Sequence, residues 1–155
     1  MDEKPQSLLK MRIVVDTNII FSALISSSAT IPDIIIAPFS HFNFYTSEYL
    51  FEELENHKYK LQKASRLTEK ELTKAKTELF KYVHVISLEI IPQEIWQEAE
   101  ALTFDIDPDD IPFVALSIFL DAYLWTGDKV LYRGLINKGF DKILLTSDFE
   151  NLILN

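Results

Sequence analysis

The sequence predicts an α/β fold: a three-layer α/β/α sandwich around a central, mostly parallel five-stranded sheet. Three observations predict it. Residues 12–15 are a β-branched run that feeds, through Asp16-Thr17-Asn18, directly into an apolar segment at helical spacing. The alternation of strand-like and helix-like segments then recurs along the chain, without internal repeat or linker. A late segment, residues 111–121, is apolar on nearly every face and belongs in the middle of a layer.

In chain order, residues 1–10 read as a tail or short extension and 11–155 as the folded domain. After the strand at 12–15 comes a helix through Ile25, a loop at 26–30, and a second helix whose first turn suits Pro32. Residues 42–46 read as a strand, and Ser47 as the N-cap of a helix through His57, with Leu50, Leu54 and His57 on its buried stripe. Residues 58–66 either continue that helix or bend away. Thr68 and Glu71 carry a capping-box signature for a helix over 68–82, with Leu72, Ala75, Leu79 and Tyr82 on one face. A strand at 83–88 and a helix at 92–104 follow, then an acidic turn at 105–110. The apolar helix, a strand at 122–126, a helix at 128–137, a short strand at 143–146 and a closing helix at 147–154 complete the chain.

Composition sets limits. With 155 residues and 48% apolar content, the chain can bury a sizeable core. The absence of cysteine excludes disulfides, thiolate zinc sites and cysteine nucleophiles. No apolar run approaches the ~20 residues that span a bilayer, and the first residues lack the apolar centre of a signal peptide. A cytoplasmic location with no membrane contact is the expectation. The net charge of −9 argues against a nucleic-acid surface taken alone, yet acids gathered around divalent cations would lower the charge without forbidding a basic rim.

The positions of the acids carry the functional reading. In a parallel sheet all strands end on one edge, and ligands bind there, where strand order reverses. Asp16 directly follows the first strand, and Asp128, in Thr126-Gly127-Asp128-Lys129, follows the fourth. Helix capping explains either one alone. If the two strands are neighbours at the reversal, however, their ends lie roughly 5 Å apart. Two carboxylates so close repel each other unless a cation joins them. Asp105, Asp107, Asp109 and Asp110 precede a helix whose first turn must hold Pro112; the helix dipole accounts for one or two acids there, not for four. Glu53 borders the buried stripe of a helix that starts at the same edge.

Four segments stand in order: Ile13-Val14-Val15-Asp16-Thr17-Asn18, Glu52-Glu53-Leu54, Asp107-Pro108-Asp109-Asp110-Ile111-Pro112-Phe113-Val114-Ala115-Leu116, and Tyr123-Leu124-Trp125-Thr126-Gly127-Asp128-Lys129. In these the sequence resembles the PIN domains, which include the VapC-type toxins of toxin–antitoxin pairs, over residues 11 to 150. The resemblance implies a Mg²⁺- or Mn²⁺-dependent ribonuclease. Asp16, Glu53, Asp110 and Asp128 would be the catalytic and metal-binding quartet, and Asn18 and Thr126 supporting polar residues. Asp109 is the alternative third acid. The resemblance further implies an RNA substrate, an antitoxin partner and a homodimer.

Oxygen ligands suit Mg²⁺ or Mn²⁺, which would activate water against a phosphodiester. For RNA contacts the candidates are Lys58, Lys60, Lys63, Arg66, Lys70, Lys74 and Lys76, which also read as a solvated face balanced by Glu69, Glu71 and Glu78. Lys129 and Arg133 lie near Asp128. Tyr49 and Tyr59 are candidates for stacking on bases. His41, His57 and His84 accompany no motif. A receiver domain would need an Asp after the third strand, where Val85-Ile86-Ser87-Leu88 has none. A haloacid-dehalogenase-like phosphatase would need an Asp where Asn18 stands. The remaining rival is a non-catalytic PIN-like module that binds RNA or a protein.

Overall fold

The computed structural model describes residues 10–25, 30–36 and 41–154, with only the backbone of 150 and 152–154. The tail expected at 1–10 lies outside these residues but for Lys10, and so does the loop expected at 26–30 but for Thr30. The described elements are β1 (Met11–Val15), α1 (Thr17–Ile25), α2 (Thr30–Ile36), β2 (Phe42–Ser47), α3 (Tyr49–Asn56), α4 (Lys58–Ser65) and α5 (Glu69–Leu79). Then follow β3 (Val83–Ile86), α6 (Gln93–Thr103), α7 (Ile111–Leu120), β4 (Tyr123–Trp125), α8 (Lys129–Asn137), β5 (Ile143–Leu144) and α9 (Thr146–Leu154). Short 3-10 turns occupy Leu88–Ile90 and Pro108–Asp110.

The five strands form one sheet in the order β3-β2-β1-β4-β5, and every pairing is parallel. The order reverses between β1 and β4, whose registers pair Val14 with Leu124 and Val15 with Trp125. Because side chains alternate across a strand, β1 feeds two cores. Ile13 and Val15 join Phe44, Trp125, Ile20, Leu54 and Phe149 under one helical layer, and Val14 joins Leu124, Phe113, Leu116, Leu131 and Leu135 under the other. That is the expected sandwich. The apolar α7 sits where its composition demands, with Phe113 through Ser117 all buried. Asp121 ends it in the left-handed region at φ 51°. No single helix among the described residues is long and apolar enough to cross a membrane.

Three local expectations change. The strand expected through residue 88 stops at Ile86. The Glu48 carboxylate accepts the Leu88 N–H at 3.0 Å, and Ser87 Oγ accepts the Glu89 N–H at 3.3 Å, which turns the chain into the 3-10 segment instead. His57 does not lie on the buried stripe of α3. The helix ends at Asn56, and His57, at φ −114°, is the exposed joint from which α4 bends away. Tyr82 falls beyond the end of α5 and is 47% exposed, whereas Leu72 and Leu79 are buried as expected. The Thr68–Glu71 capping box is present. Ser47 ends β2 and accepts the Tyr49 N–H at 3.0 Å, so it still organises the start of α3.

Candidate metal centre

Asp16 is delivered to the sheet edge by the last ladder bond of β1: its N–H donates to the Trp125 carbonyl at 3.3 Å. Its carboxylate does two things. Oδ1 caps α1 by accepting the Ile19 N–H at 3.0 Å. Oδ2 is buried and has no hydrogen-bond partner of acceptable geometry. An orphaned buried carboxylate oxygen is costly, and it raises the Asp16 pKa to about 6. Burial is the main cause; the Thr126 hydroxyl and the Ile19 N–H pull the other way, and the charges of Asp128 and Glu53 push it up.

Asp128 divides its oxygens in the same manner. Oδ1 accepts the N–H groups of Val130 and Leu131, at 2.9 and 3.1 Å, and so caps α8. Its own N–H donates to Thr126 Oγ1 at 3.1 Å. Capping and clustering therefore coexist: one oxygen of each acid serves the helix that follows, and the other is left for the site.

Asp110 differs. It stands at the N-cap position of α7 with an αR backbone, and its side chain makes no capping bond. Partial burial, and then the charges of Asp16, Asp107, Asp128 and Glu53, push its pKa up to about 8. Glu53 lies on the inner side of α3, where its Oε1 accepts the Thr17 hydroxyl at 2.5 Å. Burial raises its pKa and the Thr17 bond opposes the rise. Tyr49, one turn earlier, is raised as well, by burial and then by the charge of Glu53.

The structure thus brings Asp16, Glu53, Asp110 and Asp128 to one edge, where the charges of Glu53 and Asp128 raise the pKa of Asp16, and those of Asp16, Glu53 and Asp128 raise that of Asp110. It adds a fifth acid. Ligand atoms of Asp107, Asp110 and Asp128 all lie within 4.8 Å of one another, and Asp107 also caps its 3-10 turn through the Asp109 N–H at 3.0 Å. Asp109 is exposed and outside that trio, acting on Glu53 by charge alone. Its exclusion follows from the geometry of a 3-10 turn: residues three apart eclipse, so Asp107 shares a face with Asp110 and Asp109 does not.

Thr126 is buried against Asp16 and Asp128, but Asn18 is exposed on the rim of the neighbouring cleft. The polar residue that touches an acid from α1 is Thr17, which the sequence reading passed over. A signal existed. Thr17, Ile20 and Leu24 recur at helical spacing and are all buried, which places the Thr17 side chain inward.

This donor set fits a divalent cation. All the donors are oxygens, as Mg²⁺ and Mn²⁺ require. The orphaned Oδ2 of Asp16 and the carboxylate of Asp110, which makes no capping bond, are the atoms that a cation would stabilise. Beside the acids, α1 and α4 enclose a cleft of about 550 Å³, bordered at one end by Glu53 and Asp128.

The PIN domain family profile matches residues 14–147. No protein of curated function matches the chain significantly. Among solved structures, the fold is similar to a chain of VapBC2 from Rickettsia felis, in a complex with a DNA fragment from its promoter. That match has a TM-score of 0.61 and 16% identity, and covers 87% of this chain and 97% of the other. A chain of a toxin–antitoxin complex from Klebsiella pneumoniae is similar too, with a TM-score of 0.57 at 17% identity over 86% and 97% of the two chains. The profile match begins inside β1, ends at the start of α9 and contains every acid of the edge; the chain belongs to the PIN domain family.

Proposed function

We propose that this chain is a divalent-metal-dependent ribonuclease that hydrolyses RNA phosphodiester bonds, the toxin of a toxin–antitoxin pair. Asp16, Glu53, Asp110 and Asp128 would hold Mg²⁺ or Mn²⁺, with Asp107 as an additional ligand. The observation that carries this reading is the orphaned, buried Oδ2 of Asp16 among mutually repelling carboxylates. A cluster of this kind is costly to the fold by itself, and a cation would offset the cost.

A divalent ion at such a site supplies an acidified water and neutralises charge on the phosphodiester. The remaining work falls to the chain. Asp16, capping α1 through Oδ1, presents Oδ2 in a single orientation. Thr17 fixes the Glu53 carboxylate, so that Glu53 can orient a water or accept its proton. Asp110, whose pKa of about 8 keeps it largely protonated without a cation, must give up that proton for the site to load. Thr126 ties the Asp128 backbone to the end of β4. None of His41, His57 and His84 lies in the acid trio, although His57 lines the cleft that Glu53 and Asp128 border.

The antitoxin partner belongs to this proposal, supported by the fold shared with chains of toxin–antitoxin complexes; the homodimer belongs to it on the sequence resemblance alone. The test is cleavage of single-stranded and structured RNA by purified protein with Mn²⁺, against an Asp16→Asn control. Cleavage that needs both the metal and Asp16 supports the nuclease. No cleavage, with RNA still bound, favours a non-catalytic binding module. Cleavage that survives Asp16→Asn places the chemistry elsewhere.

A further inference from the structure

The cleft beside the acids joins aromatic rings and a cation to the acidic edge. The chain carries 24 acids against 15 lysines and arginines, and a polyanion has few places to approach it. Within the cleft, Glu53 and Asp128 stand only at the end next to the acidic edge. Away from that end the walls are Phe21 and Ser22 of α1 against His57 and Leu61, with Lys60 as the one cation in the lining.

Lys60 forms no ion pair among the described residues. Lys58, two positions earlier on the same helix, is tied to Glu55 at 3.1 Å. Lys81, Lys138 and Lys142 are likewise paired to Glu78, Asp105 and Asp121. The Phe21 and His57 rings meet edge to face with centroids 6.1 Å apart, so the two walls join in one aromatic surface. The volume, about 550 Å³, is that of a small-molecule site.

We propose that this cleft holds the nucleotide next to the scissile phosphate, its base against Phe21 and His57 and its outer phosphate on Lys60. The inference rests on the nuclease reading and deepens it by locating the strand. Aromatic surface accepts any base by stacking, and Lys60 lines the same cleft as Glu53 and Asp128, so one strand can meet the cation and the acidic edge together. An apolar peptide would use Phe21 and Leu61 but would leave Lys60 facing no charge. The polar members Ser22 and Asn18 line the same cleft and can meet a base edge or ribose.

The test uses a fluorescein-labelled 12-nucleotide single-stranded RNA containing 4-thiouridine, bound to the Asp16→Asn protein with Mg²⁺ and photo-crosslinked. The expected crosslinks fall on the peptides that carry Phe21 and His57. Lys60 is exposed, so Lys60→Glu does not threaten the fold; it should weaken binding about tenfold. It should also reduce the slope of log affinity against log salt by ~0.7 for each phosphate that is no longer neutralised. Phe21→Leu, which keeps apolar volume while removing the ring, should raise KM for RNA by about fivefold or more.

Crosslinks confined to the α5 face, with Lys70→Glu and Lys74→Glu weakening binding more than Lys60→Glu, would overturn the inference. So would unchanged RNA binding and KM in Lys60→Glu and Phe21→Leu, which would leave the cleft to a protein partner. If wild-type protein with Mn²⁺ binds and crosslinks as expected yet never cleaves, the nuclease reading fails and the nucleotide site stands.

Discussion

Thr17 on α1 and Glu53 on α3 are 36 positions apart in sequence, and the Thr17 hydroxyl donates to the Glu53 carboxylate at 2.5 Å. Thr17 immediately follows Asp16, so this one bond couples the end of β1 to an acid from another helix. Removing the hydroxyl while keeping the shape isolates that coupling. Thr17→Val should retain the fold and weaken Mn²⁺ binding by about 10–100-fold, the usual cost of losing a group that orients a metal ligand. Isothermal titration with Mn²⁺ checks it.

The raised pKa values have a definite sign. Asp110, at about 8 against an ordinary 3.8, and Asp16, at about 6, bind protons more tightly in the folded state than in the unfolded chain. Their contribution to stability is complete below pH ~4 and is lost as pH rises through the folded values, for Asp110 up to about 8. The melting temperature of metal-free protein should therefore carry a component that falls between pH ~5 and ~8; in Asp110→Asn the part above pH ~6 should vanish, leaving only the Asp16 part. Saturating Mn²⁺ should cancel that fall, because binding stabilises the deprotonated site. A slope that is the same in wild type and Asp110→Asn would refute the assignment.

Asp16→Asn should separate stability from function. Neutralising this acid removes repulsion from Asp128 and Glu53 while an oxygen remains to cap α1. Metal-free Asp16→Asn should melt at or above the wild-type temperature at pH ~8, lose most of the Mn²⁺-induced rise, and cut no RNA.

Asp107 and Asp109 are distinguishable. Asp107→Asn should lower Mn²⁺ affinity by about tenfold or more, since its carboxylate lies within 4.8 Å of those of Asp110 and Asp128. Asp109→Asn should change affinity far less, acting only through the field on Glu53. Equal losses in the two variants would remove Asp107 from the ligand set.

Gly134 on α8 seats the acidic turn. A Cβ placed there would lie 2.6 Å from Ile106 Cδ1 and 3.0 Å from its Cγ1, so only glycine lets Ile106, the residue before Asp107, pack this close. Gly134→Ala gains about 1 kcal/mol of helix propensity but must displace Ile106, at about 1–3 kcal/mol. A net loss of about 1 kcal/mol is expected, together with weaker Mn²⁺ binding, as read by urea denaturation and metal titration.

Much of this protein was legible in one dimension. The β-branched run before Asp16, the all-apolar span from Ile111 to Leu120 and the Thr68–Glu71 box are local patterns, and local patterns report burial and period directly. They determined the alternation of strands and helices, and with it the edge at which Asp16 and Asp128 emerge. The tertiary structure decided what depends on where elements meet. The β1–β4 pairing, the bend at His57 beside the cleft and the Thr17–Glu53 bond each join groups from different elements. No periodicity records such a meeting, because hydrogen bonds and charge repulsion act through distances that only the packed sheet sets.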